Sequence, residues 1–136
     1  MSIAWDPSLV TGNRQIDDQH EQIFRMFEAL RTAMAEDGGH GEVGRLLGTL
    51  SLYVVAHFWQ EESLMVQYGC PGLEGHRAAH AQLRDQVDGL VDRFNADSGL
   101  PPAELLGFME DWLSEHVRTQ DRPMVTFVLA AQEQVS

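Results

Sequence analysis

Apolar residues recur every three or four positions through most of this chain, and three clusters of turn residues interrupt them. The breaks are Asp37-Gly38-Gly39-His40-Gly41, Gly69-Cys70-Pro71-Gly72 and Asp97-Ser98-Gly99-Leu100-Pro101-Pro102. The runs between them are too long for strands and rich in helix formers. The pattern predicts helices over about 17–37, 42–69, 73–96 and 102–121, with an N-terminal arm over about 1–16. Asp17 or Asp18 is the expected first N-cap. Pro123 is expected to limit the fourth helix, and Met124–Ala131 leaves room for one further short helix. Four helices of similar length joined by short turns predict an all-α protein, an antiparallel up-down-up-down four-helix bundle. No repeat or linker divides it, so residues 1–136 read as a single domain.

The apolar stripes carry polar residues that do not belong on a core face. The first is Ile16, Ile23, Phe24, Phe27, Leu30 and Met34, and His20 falls in line with it. His57 and Glu61 lie on the second stripe, with Val43, Leu47, Leu50 and Val54. His76 and His80 lie on the third with Leu83, Val87 and Leu90, and His116 joins Met109, Trp112 and Leu113 on the fourth. One histidine on such a face is usually a core residue with a satisfied hydrogen bond. Five together are different, because each buried polar group without a partner costs roughly 1–3 kcal/mol. A metal would satisfy all of them at once.

Spacing supports that reading. His57 and Glu61 are four apart, as are His76 and His80, so each pair shares a helix face. His116 and Asp121 are five apart and would point roughly 140° from each other on a regular helix. Asp121 therefore needs a distorted or ending last turn, for which Pro123 offers a cause. Imidazole suits iron, zinc, copper and nickel, and carboxylates can bridge two ions. Five histidines and two carboxylates exceed what four-coordinate zinc needs and fit two octahedral metals with one position open. No Glu-x-x-His occurs, which argues against a carboxylate-rich ferritin-like site. His40, among glycines, is excluded as a ligand.

Composition narrows the classes without choosing among them. The 136 residues carry 21 acidic and 9 basic side chains, a formal charge of −12 that repels nucleic acid and anionic membranes. No apolar run is long enough for a membrane span. The N-terminus lacks the basic and apolar regions of a secretory signal, so a cytoplasmic location is expected. Cys70 is the only cysteine, which excludes an internal disulfide and a thiolate cluster. It stands in a turn, either as an exposed thiol open to intermolecular pairing or, the favoured reading, as an inert residue.

Four motifs, in order, resemble the hemerythrin family, in particular its single-domain bacterial type. They are Gln15-Ile16-Asp17-Asp18-Gln19-His20; His57-Phe58-Trp59-Gln60-Glu61-Glu62-Ser63-Leu64-Met65; His76-Arg77-Ala78-Ala79-His80; and Trp112-Leu113-Ser114-Glu115-His116, which runs on to Asp121. The resemblance spans nearly the whole chain. It implies that His76, His80 and His116 bind one iron and that His20 and His57 bind another. It further implies that Glu61 and Asp121 bridge the two beside an oxo or hydroxo group, and that dioxygen binds at the open position of the second iron. Glu62 is expected to point away as a solvated surface residue. Trp112, Leu113 and Val117 match positions that line the family's dioxygen pocket, and they would also serve as core.

Reversible dioxygen binding for storage, delivery or buffering is the leading expectation. An oxygen or redox sensor acting through a partner is an alternative, since the length leaves no room for an output domain. A peroxide or nitric oxide reductase is another, but turnover needs a general acid near the open position, and the stripes offer none beyond the seven ligands. Iron storage is disfavoured, because the bundle encloses only one site.

Overall fold

The computed structural model describes residues 5, 7–35, 40–96 and 107–135, and gives residues 40, 113, 114, 134 and 135 by their backbone alone. Four long helices account for nearly all of these residues, and no strand occurs among them. α1 spans Arg14–Ala35, α2 spans His40–Tyr68 and α3 spans Leu73–Ala96. The fourth helix, α4, covers residues 107–135 and changes winding along its length. After a first turn at 107–110 it runs as a π-helix over Asp111–Asp121, then as an α-helix over Arg122–Val135. Glu110 and Arg122, at the two ends of the π segment, both keep right-handed helical dihedrals, so the helix is continuous.

Two boundaries differ from the sequence expectation. α1 begins at Arg14 because Asn13 takes the cap, its side-chain oxygen accepting from the Ile16 N–H at 3.0 Å. Asp17 instead reaches back to the Thr11 N–H and hydroxyl and the Gly12 N–H. α2 begins at His40, two residues before the expected start. The expected start of the fourth helix at 102 lies outside the described residues.

A larger difference concerns Pro123, which does not end the fourth helix. Arg122 donates its N–H to the Val117 carbonyl, a π-type bond five residues back. Beyond it the ladder returns to α spacing. Pro123 stands at that change of register, where a ladder bond is displaced in any case, so its missing N–H costs little. The apolar tail is therefore a continuation of α4, not a separate helix.

The α2–α3 connection forms a Schellman turn. Cys70 donates to the Met65 carbonyl at 2.9 Å and Gly69 to that of Val66 at 3.3 Å, with Gly69 at φ +62°. Such a turn sets the residue after the glycine against the helix it closes. Cys70 accordingly packs beside Met65 and is buried. Burial pushes its thiol pKa up, so it is not the exposed thiol that its turn position allowed.

α2 lies between α1 and α3 and runs antiparallel to α3. Gly44 meets Phe94 at one end of the pair, and Glu62 meets His80 at the other. The main core is built on Phe27, Leu50, Val54, Leu83, Val87 and Trp112, with the N-terminal Leu9 also buried in it. A second, smaller core holds Ile16, Met65, Cys70, Met124, Val125 and Val128. Trp5 of the arm packs on Phe24, ring centroids 6.1 Å apart. No helix among the described residues is long and apolar enough to cross a membrane.

Candidate metal centre

The seven buried polar or charged residues among those described are His20, His57, Glu61, His76, His80, His116 and Asp121. They come from all four helices and meet in one place. α1 contributes His20, α2 contributes His57 and Glu61, α3 contributes His76 and His80, and the π segment contributes His116 and Asp121. The π winding is what admits Asp121. With bonds five residues apart, residues five apart stack one turn above each other, so His116 and Asp121 share a face. Their Nε2 and Oδ1 atoms stand 3.0 Å apart.

Each of these five histidines turns Nε2 inward. Glu61 Oε2 lies 3.2 Å from that atom of His20 and 3.0 Å from that of His57. Its other oxygen, Oε1, lies 3.3, 2.9 and 3.9 Å from Nε2 of His76, His80 and His116. Asp121 divides in the same way, with Oδ2 at 3.0 Å from His20 and Oδ1 at 3.0 Å from both His76 and His116. Two overlapping groups result: Glu61, Asp121, His76, His80 and His116, and Glu61, Asp121, His20 and His57, with all donor atoms of a group within 4.8 Å of one another.

Nε2 of His20, His76 and His80 hydrogen-bonds to Glu61, but the other contacts are close and badly aimed for hydrogen bonds. Neither His57 Nε2, His116 Nε2 nor either oxygen of Asp121 has a hydrogen-bond partner of acceptable geometry, although all are buried. Lone pairs that converge on a common point, instead of on each other's protons, are what a cation requires. Both residue types fit first-row transition metals.

Charge is strongly coupled within the cluster. Burial opposes charge on His20, but the nearby carboxylates of Asp121 and Glu61 outweigh it and push its pKa up to about 10. The same balance pushes His76 and His116 up to about 9. For Glu61, burial favours the neutral carboxyl, yet attraction to His57 and bonds from the histidines hold it well below the carboxylate range. Asp121 is depressed likewise: burial and the Glu61 charge act upward, while His116 and His20 prevail.

The outer nitrogens show what sequence reasoning missed. His57 Nδ1–H donates to Gln19 Oε1 at 2.7 Å. His80 Nδ1–H donates to Glu62 Oε2 at 2.9 Å. Glu62 is therefore no free surface residue. It is half-buried, fixes the ring of His80, and is itself held by Arg77 at 3.3 Å. Two signals could have found these partners: Glu62 directly follows Glu61, and Gln19 directly precedes His20, each about 100° round the helix from its neighbour. Phe58 stacks on the His80 ring at 4.1 Å and 10°. Trp112 meets His20 edge-on at 5.6 Å, and Val117 is fully buried. The side chain of Leu113 lies outside the described residues.

A helical bundle that buries such a divided histidine–carboxylate cluster is a cation-binding bundle. Within that class the chain belongs to the hemerythrin family, since residues 11–128 match the model of the hemerythrin HHE cation binding domain. A bacteriohemerythrin of Methylococcus capsulatus is 34% identical over 106 residues, covering 78% of this chain and 80% of that protein. A bacteriohemerythrin of Pseudomonas aeruginosa is 30% identical over 126 residues, or 93% of this chain and 81% of that one. The solved structure of a wild-type hemerythrin superposes with a TM-score of 0.83 at 29% identity, covering 94% of this chain and 98% of that one.

Proposed function

We propose that this protein binds dioxygen reversibly at a non-haem di-iron centre, for storage, delivery or buffering of oxygen. His76, His80 and His116 would hold one iron, and His20 and His57 would hold the other. Glu61 and Asp121 would serve both. One observation carries this reading: each carboxylate turns one oxygen toward the three-histidine group and the other toward the two-histidine group. A single-ion site has no use for that division. The unequal count of imidazoles leaves the His20–His57 side one ligand short, and that is where an exogenous ligand enters.

A reduced iron pair supplies the electrons on which dioxygen binding draws. The chain's own residues keep that exchange reversible. Trp112 packs edge-on against His20, and Val117 is sealed in the core, so the open side faces a dry wall. We assign Leu113 to the same wall from its place in the motif. Among the described residues, every buried polar or charged side chain is one of the seven ligands. Glu62, the further acid in contact with the cluster among the described residues, is engaged by His80 and Arg77, which favours a carrier over an enzyme.

The test is the visible spectrum of iron-loaded protein, reduced without air and then exposed to it. Reversible binding requires a new absorption band in air that disappears when oxygen is removed and returns on re-exposure. Direct passage to a stable oxidised spectrum would favour a sensor or an enzyme. Failure to develop any iron-dependent absorption after reconstitution would exclude the di-iron reading.

A further inference from the structure

α2 is apolar on two opposite sides. Its inner side carries Val43, Leu47, Leu50, Val54 and Met65, all buried. Its outer side carries Leu52, Val55, Trp59 and Val66, which are 77%, 36%, 70% and 59% exposed. These four are most of the large exposed apolar side chains among the described residues, and they share one line. Positions 41, 45, 48, 52, 55, 59, 62 and 66 alternate in steps of four and three, the spacing of a helix–helix seam. From Leu46 to Gln60 the helix has no Asp, Glu, Lys or Arg, in a chain whose formal charge is −12.

The glycines on this seam lack a reason within the chain. Gly44 lies off the seam and is explained: a Cβ there would come within 3.0 Å of Phe94. Gly41 and Gly48 are on the seam, and a Cβ at either would meet nothing within 4 Å. A glycine inside a helix costs about 1 kcal/mol relative to alanine. The cost is repaid where another backbone or a large side chain must come close.

We propose that the outer face of α2 is the interface of a two-fold homodimer, with the two α2 helices packed antiparallel. Placing the axis between Tyr53 and Val54 makes the seam self-complementary. Trp59 of each copy then sits over Gly48 of the other, the largest side chain against the smallest. Leu52 faces Val55, and Val66 faces Gly41. Arg45 faces Glu62, opposite charges at the two ends of the apolar stretch. Within one chain Arg45 pairs only with Glu42, an exposed i,i+3 contact of little worth that exchanges readily. The seam extends about 37 Å along the helix, long enough for a specific contact. Its lack of charge lets two acidic molecules meet where their mutual repulsion is least.

Sedimentation of the full, metal-loaded chain over a range of concentrations tests this. A monomer–dimer equilibrium is expected. Gly48→Leu fills the space that the partner's Trp59 takes, and Trp59→Lys removes the anchor. Each should weaken the dimer roughly tenfold or more, as loss of a central anchor does. Gly48→Leu serves even if the tryptophan variant folds poorly, because a Cβ at this position meets nothing within 4 Å in the monomer and leucine improves helix propensity. Its monomer should melt higher while its dimer weakens. A protein that sediments as a monomer at every concentration leaves this face to some other partner and overturns the proposal. So does a dimer that survives both substitutions.

Discussion

His80 and His57 owe their aim to their outer nitrogens. A carboxylate accepts from His80 Nδ1–H and a neutral amide from His57 Nδ1–H. The carboxylate partner locks the His80 ring with its Nε2 inward. Glu62→Gln keeps the shape and loses the charge, so it should weaken metal retention about 10–100-fold in a chelator competition. Retention equal to the parent would show that Glu62 does not tune the site. Proton occupancy gives a second expectation. In protein stripped of metal, the raised pKa values of His20, His76 and His116 mean that their pairing is fully stabilising below 6.5. It is lost as pH rises through about 9 to 10. Glu61 and Asp121, depressed from 4.5 and 3.8, stabilise above those values and lose their contribution as pH falls below them. The melting temperature of the stripped protein should thus be highest between about pH 4.5 and 6.5, drop on acidification below that window, and fall steadily from neutrality toward pH 9 to 10. Loading ferrous iron at neutral pH should release about three protons, one from each raised histidine. Calorimetry in buffers of different ionisation heat measures that number, and zero release would refute the assignment.

At the scale of single elements, the legible part of the centre was the part built on regular helix. His57 with Glu61 and His76 with His80 lie four apart, and that spacing alone puts each pair on one face. His116 and Asp121 also announced a distortion, because five residues do not return to the same face of an α-helix. Its form was hidden. The sequence offered Pro123 as the cause of a helix end, whereas the chain widens to π winding over Asp111–Asp121 and continues. Hydrogen-bond register is a cooperative property of the whole turn, and no single residue encodes it. Glu62 and Gln19 were missed for a related reason: their partners come from α3 and α2, and a helix read alone does not reveal what faces it. Tertiary context also separates two glycines that look alike in sequence. Gly48→Ala should raise the melting temperature of the monomer, by about 1 kcal/mol of stability, since nothing opposes the added methyl. Gly44→Ala must push Phe94 aside, and the overpacking offsets or exceeds the same gain. Equal melting temperatures for the two variants would contradict the contacts described for Gly44.

On the scale of the whole molecule, the seven buried histidines and carboxylates form a polar plate between two apolar cores. On α1, His20 separates Ile16 of the small core from Ile23 of the large one, and on α2, Glu61 separates Met65 from Phe58. On α4, Asp121 separates Val117 from Met124. The two hydrophobic bodies are joined by a layer of buried polar groups whose donor atoms converge on a common point. A metal bound there would tie the halves so that they unfold together, and the fate of the smaller half would depend on it. Protein stripped by chelation should lose hydrogen-exchange protection first in Arg122–Val135 and around Cys70, while the Leu50–Phe27–Val87 region stays protected. One uniform loss of protection would mean that the cores communicate without the metal. If the smaller half does open first, iron status becomes readable as local susceptibility to proteolysis at one end of the bundle. A cell could then remove molecules that have lost their iron without any receptor that recognises the empty site.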